Sequence, residues 1–201
     1  MQKTLLLTAL LTYSMALAPA LAMAKDELIQ IPLTRQATDY TCGTAALQSM
    51  LGFHGEDFNE SELAKLLKTN EQEGTDYNDI VAVAKQKGYT VKVYKEMKLN
   101  ELKKLLDKKL PVLCLIQAWA EKKVDYKNDW NDGHYVVAIG YDKHKIYFMD
   151  PSTLGNYTYI DQKSFLNRWH DKNSKEELNH FGLTITKKHR DYKADAIKFM
   201  P

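Results

Sequence analysis

Apolar positions recur with two different periods along this chain. Spacings of three and four residues, the signature of a helix face, occupy most of the first half. Ala45, Ala46, Leu47, Met50 and Leu51 form one such stripe, in a helix that starts at Cys42 and ends near Gly52 or Gly55. Leu63, Leu66 and Leu67 form a second, opened by Asn59 as N-cap with Glu62 three positions on, a capping-box pattern. Ile80, Val81, Val83 and Ala84 mark a third over residues 77–87, stopped by Gly88. Leu102, Leu105 and Leu106 mark a fourth over 100–109, ended by Pro111. The second half reads mainly with strand periods. Residues 89–94 alternate, with Val91 and Val93 inward, and 112–118 are a continuous apolar run. Residues 134–141 and 145–149 form a hairpin about a turn at 142–144. Further strands are predicted around Tyr157–Ile160 and 181–185, with a lead-in strand over 25–32. Residues 161–171 are predicted helical, with Phe165, Leu166 and Trp169 inward. Helices first and an antiparallel sheet afterwards make the fold class α+β.

Two regions lie outside this pattern. Residues 1–24 carry one charge, Lys3, before an apolar run and the small-residue stretch Pro19-Ala20-Leu21-Ala22-Met23-Ala24. That is the layout of a secretory signal peptide, with cleavage after Ala22 or Ala24. The run is short for a membrane span, which needs roughly 20 residues. The expectation is an exported protein, periplasmic or extracellular, with a globular domain over 25–186 and a loosely held tail over 187–201. Residues 121–133 are a long polar loop, and such loops beside a site are often functional.

Composition narrows the chemistry. The chain has 201 residues, 44% hydrophobic content and a formal net charge of +2. It can bury a core, and no basic-aromatic stripe points to nucleic acid. There is no phosphate-binding G-x-x-x-x-G-K-[ST] loop, no C-x-x-C or H-E-x-x-H spacing and no EF-hand spacing, so no cofactor or metal is expected. A zinc site from Cys42, His134 and Asp150 has no motif behind it.

Two cysteines are present, Cys42 and Cys114. Cys42 follows the polar run Gln36-Ala37-Thr38-Asp39-Tyr40-Thr41 and falls in the first helical turn, with Thr41 as N-cap. Backbone N–H groups there lack partners and the helix dipole favours negative charge. A thiolate, the nucleophilic form, is favoured in such a place. A buried packing cysteine, or a disulfide to Cys114, fits the same stretch. Against the disulfide, Cys114 sits in an apolar run that reads as a buried strand.

A thiol nucleophile needs a base, a group that holds the base, and donors for the oxyanion. His134 starts an apolar strand just after Asn131-Asp132-Gly133, at the rim of the sheet. Asp150 ends the neighbouring strand and precedes Pro151, within reach of His134 across the hairpin. Strand parity tests this pairing. A regular two-residue turn at Lys143-His144 would pair Asp150 with Val137, on the face away from His134. Sharing a face requires an odd-length loop or a bulge.

The ordered set Gln36-x-x-x-x-x-Cys42-Gly43, Gly74-Thr75, Gly133-His134-Tyr135-Val136-Val137 and Asp150-Pro151 resembles the family C39 cysteine peptidases, papain-like domains that remove double-glycine leader peptides. The resemblance runs from about Ile31 to Trp169. It implies that Cys42 is the nucleophile and is free, that His134 is general base and acid, and that Asp150 orients His134. It also implies that the Gln36 side-chain amide and the Cys42 backbone N–H stabilise the oxyanion. The substrate it implies is a peptide or protein, with a Gly-Gly site as the family's form, and a secretion apparatus is the expected partner. Many members of the family are domains of ABC transporters; this chain looks more like the stand-alone exported ones. Trp119, Tyr126, Trp130 and Tyr135 are candidates for cleft walls, or for ordinary packing. Two other functions fit the same residues: a non-hydrolytic peptide-binding module of a secretion system, and acyl transfer on the same triad.

Overall fold

The computed structural model describes residues 28–153, 155–187, 192–193, 195–197 and 199–200. The signal-peptide pattern at 1–24 lies outside the described residues, as does part of the tail.

Helix α1, Cys42–Phe53, runs through the middle of the molecule. Ten of its twelve residues are buried, more than the single stripe expected from spacing. Small residues explain this. Gly43, Ala45 and Ala46 fill little space, and at Gly43 the Thr75 and Tyr135 side chains close in where a Cβ would stand. A helix apolar nearly all round belongs inside. Helix α2, Glu60–Leu66, packs beside it. The Asn59 side chain caps α2 by accepting from the Ser61 N–H at 2.9 Å. Helix α3, Tyr77–Gln86, buries Tyr77, Ile80, Val83 and Ala84 and stops at Gly88, whose φ of +81° suits glycine. Helix α4, Leu99–Asp107, follows strand β1, Thr90–Tyr94. Its start is held by the Glu101 carboxylate, which accepts from the Lys98 backbone N–H at 2.8 Å.

The sheet comprises β1, β2 (Val112–Gln117), β3 (Gly133–Tyr141), β4 (Lys145–Met149), β5 (Tyr157–Asp161) and β8 (Gly182–Thr186). All pairs are antiparallel, in the order β1-β8-β2-β3-β4-β5. The last strand in the chain therefore inserts between the first two. Every residue of β2 is buried, as its unbroken apolar run requires of a central strand. Helix α1 lies on β3, which brings the two halves of the pattern together.

Three expectations need correction. The lead-in segment is not a strand over its described residues. It is a strap, tied by Ile29 N–H to the Ile139 carbonyl, by the Tyr157 hydroxyl to both backbone groups of Ile31, and by Thr34 Oγ1 to the Ala45 carbonyl. Helix α5 is shorter than expected, Gln162–Arg168, and Leu166 is exposed on it. The chain leaves the helix at Trp169 because that indole is buried and donates to the Phe181 carbonyl at 2.8 Å. The residues beyond it pair as a small second sheet of β6 (His170–Lys172) and β7 (Glu177–Asn179), too short to leave a period in the sequence.

Candidate functional site

Cys42 opens α1, directly after a turn that places it against the start of β3. No acidic residue stands in the first turn of α1, so nothing within that turn offsets the positive end of the helix beside the sulfur. Thr41 occupies the N-cap position, but its hydroxyl does not cap. It is turned back into the preceding loop, where it accepts from the Thr38 N–H and donates to the Thr38 carbonyl. The expected side-chain cap is therefore lost, and the first-turn N–H groups stay free of it.

His134 is the second residue of β3, opposite Ile116. Asp150 follows the last residue of β4. The turn between these strands is a regular two-residue one, closed by Asp142 N–H to the Lys145 carbonyl at 3.0 Å. Near it Tyr141 pairs with Ile146 and Gly140 with Tyr147; farther on, Ala138 pairs with Phe148 and Val137 with Met149. The register slips by one between Ala138 and Gly140, a β-bulge at Ile139. That slip moves Asp150 from opposite Val137 to opposite Val136, on the face His134 shares. The parity condition is met by the bulge, not by the loop.

The result is a His134 Nε2–Asp150 Oδ1 contact of 2.8 Å, with both side chains about 95% buried. Because a carboxylate only accepts, Nε2 carries the proton and donates it. Cys42 is the other side chain that acts on the imidazole. With Nε2 taken, Nδ1 is the nitrogen left for the sulfur. Burial on its own would push the imidazole pKa down. The hydrogen bonds to Asp150 and Cys42, with the negative charge each partner can carry, outweigh that and raise it to about 9. Asp150 is itself held at three points. Oδ1 also accepts from the Ser152 N–H at 2.9 Å, and Oδ2 from the Trp119 indole Nε1–H at 3.2 Å.

Gln36 is tied to the same corner. Its backbone N–H donates to the Pro151 carbonyl, and its side-chain oxygen accepts from Ser152 Oγ at 3.2 Å. The amide nitrogen donates to the Thr38 carbonyl at 2.8 Å. A carboxamide has two N–H donors, so one remains.

Cys42 and Cys114 are both free thiols. Cys114 is fully buried in β2, and burial holds its thiol well above the ordinary range. Among the described residues, no group of three or more His, Cys, Asp or Glu is placed to hold a metal ion, and no helix is long and apolar enough to cross a membrane.

Cys42 opens onto a cleft of about 620 Å³ between the helical side and the sheet. Trp130 and Tyr135 line it. Trp119 and Tyr126 do not; they line a separate groove of about 410 Å³ that Asp150 also borders. Tyr135 is a brace as well as a wall, since its hydroxyl donates to the Thr75 carbonyl at 3.0 Å and links sheet to helices beside the thiol. The sequence pattern did not single out Gln117 or Asp171. Gln117 is buried in β2, donates to Asp171 Oδ1 and accepts from the Asp132 N–H, so it steadies the chain just before His134. Asp171 lies so close to Gly133 that a Cβ there would sit 2.5 Å from Oδ2. Burial raises its pKa to about 6. The cue for both was weak: a polar residue in an apolar strand, and a glycine before the histidine.

The profile of the Peptidase C39-like family matches residues 28–177 of this chain. The chain belongs to the Peptidase C39-like family. An uncharacterized protein of Methanothermobacter thermautotrophicus (strain Delta H) is 32% identical over 133 residues, 66% of this chain and 77% of that one. Among solved structures, the peptidase domain of Streptococcus ComA, a bi-functional ABC transporter involved in quorum sensing, is 21% identical. It superposes with a TM-score of 0.59 over 80% of this chain and 99% of that domain. A double glycine motif protease from an AMS/PCAT transporter, solved with its leader peptide, is 18% identical. It gives a TM-score of 0.55 over 79% of this chain and 92% of its own. The α+β architecture of this chain is thus the papain-like fold of C39 peptidase domains.

Proposed function

We propose that this C39-like protein is a cysteine endopeptidase that cuts a peptide or protein substrate through Cys42, His134 and Asp150. The observation that carries the reading is the buried pair itself: an imidazole that donates to a carboxylate at 2.8 Å and feels the thiol at the start of α1.

In this reading the sulfur attacks the scissile carbonyl as thiolate while His134 stands by as imidazolium. The tetrahedral oxyanion accepts from the Cys42 backbone N–H and from the remaining Gln36 amide N–H. His134 gives its proton to the leaving amine, leaving a thioester. The neutral imidazole then takes a proton from water, which attacks the thioester and releases the acid. Asp150 keeps the ring in the tautomer and orientation that both steps need.

The substrate we propose is an exported peptide or protein, cut after Gly-Gly in the form the family resemblance implies. The signal-peptide pattern over residues 1–24 supports work in the periplasm or outside the cell, with a secretion apparatus as partner.

The test is to incubate the protein and its Cys42→Ala variant with exported proteins of the same cell and to map new N-termini by mass spectrometry. New N-termini are expected with the wild type and none with the variant, whose circular dichroism stays unchanged. Equal cleavage by both proteins would end the reading.

A further inference from the structure

Trp119 is placed in a way that packing does not explain. It stands two residues beyond β2 with φ of +63°, a left-handed backbone that bulky L-residues avoid. Its side chain is not the reward for that conformation in the usual sense, because the residue is 60% exposed. The conformation is imposed from both sides. Ala118 N–H donates to the Asp132 carbonyl at 2.9 Å, and Ala120 N–H to the Tyr126 hydroxyl at 3.2 Å. Its polar contact is the indole N–H to Asp150 Oδ2 at 3.2 Å. Asp150, by contrast, is only 5% exposed. An exposed, strained residue thus donates to a buried carboxylate, and strain held in this way tends to mark function.

We infer that Trp119 is a positioning residue for the reaction proposed above, on which this inference rests. The indole N–H and the Ser152 N–H fix the rotation of the Asp150 carboxylate, so that Oδ1 faces His134 Nε2. The ring also keeps water away from that hydrogen bond. In a drier site the carboxylate acts more strongly on the imidazolium, and the proton stays where the leaving group needs it.

Glycine separates this role from a structural one, because glycine favours the backbone that tryptophan resists. Trp119→Gly is expected to keep or raise the thermal midpoint while lowering kcat about 10- to 100-fold, the scale of a small misplacement at a reacting centre. Trp119→Phe, which keeps a ring without the donor, is expected to fall between the two. A second measurement needs no substrate: the pH dependence of Cys42 alkylation by iodoacetamide, with Cys114 buried out of reach. Its alkaline limb is expected at lower pH in Trp119→Gly, since water weakens the hold of Asp150 on the imidazolium. A wild-type limb and wild-type kcat in Trp119→Gly would overturn the inference. If His134→Ala leaves the alkylation profile of the otherwise native protein unchanged, it is the peptidase reading that falls instead.

Discussion

Burial and hydrogen bonding compete at His134, and the outcome sets how the site responds to pH. An imidazole taken out of water loses its proton more readily; one held by acceptors that can carry negative charge keeps it. Here the partners win, and the folded pKa rises from 6.5 to about 9. A group raised on folding contributes stability in full below its unfolded pKa, and that contribution is lost as pH rises through the folded value. Both stability and the supply of imidazolium should therefore decline as pH approaches about 9. The expected kcat/KM profile has its alkaline limb there. Asp150→Asn removes the charge that holds the proton, so its limb should move to lower pH. Its kcat/KM should fall roughly 10²- to 10⁴-fold, the range for a disabled acid–base group. A pH–rate profile of the two proteins checks both points.

At the scale of elements, the site depends on one close approach and one irregularity. Gly43 sits where α1 meets β3 and the segment before α3. A Cβ there would lie 2.7 Å from Thr75 Cβ and 2.9 Å from Tyr135 Cδ2. Neither neighbour is free to withdraw, because the Tyr135 hydroxyl is bonded to the Thr75 carbonyl. Gly43→Ala should therefore cost about 1–3 kcal/mol, the range for overpacking, and displace the helix start that carries Cys42. Chemical denaturation measures the first effect; the second appears as a fall in kcat larger than the stability loss alone accounts for. The irregularity is the bulge at Ile139. Parity required a bulge or an odd loop for His134 and Asp150 to share a face, and nothing in the residue pattern chose between them. A bulge shifts the phase of the in-and-out alternation, but β3 is buried on both faces, so the shift leaves no mark in its apolar pattern.

For the whole molecule, charge is distributed unevenly. The chain as a whole is close to neutral, at a formal net charge of +2. Yet the cleft that reaches Cys42 is lined by Asp39, Glu71, Glu73, Asp76 and Asp171 against Lys172. Carboxylates gathered at a concave surface attract cations at a distance, and salt screens that attraction beyond about 10 Å at 0.1 M. Peptides bearing lysine or arginine beside the scissile bond should therefore lose kcat/KM several-fold between low salt and about 0.5 M. Neutral peptides of the same length should change little. A salt series on the paired peptides checks this.

The sequence by itself determined helices α1 to α4 and the strands of the main sheet, because local spacing of apolar residues selects helix or strand before any long-range contact exists. It also determined which residues had the right chemistry: a cysteine in a helix's first turn, a histidine opening a strand, and an aspartate closing the next. Tertiary structure alone decided how β8 enters the sheet between β1 and β2, where the register slips, and that Thr41 turns away from the helix it was expected to cap. It alone set Trp119 against Asp150, brought Gln117 to the site, and ended the last helix before Trp169. Those outcomes depend on contacts between residues far apart in the chain. Such contacts leave no period behind, since each is a single meeting of two surfaces and not a repeated choice along one.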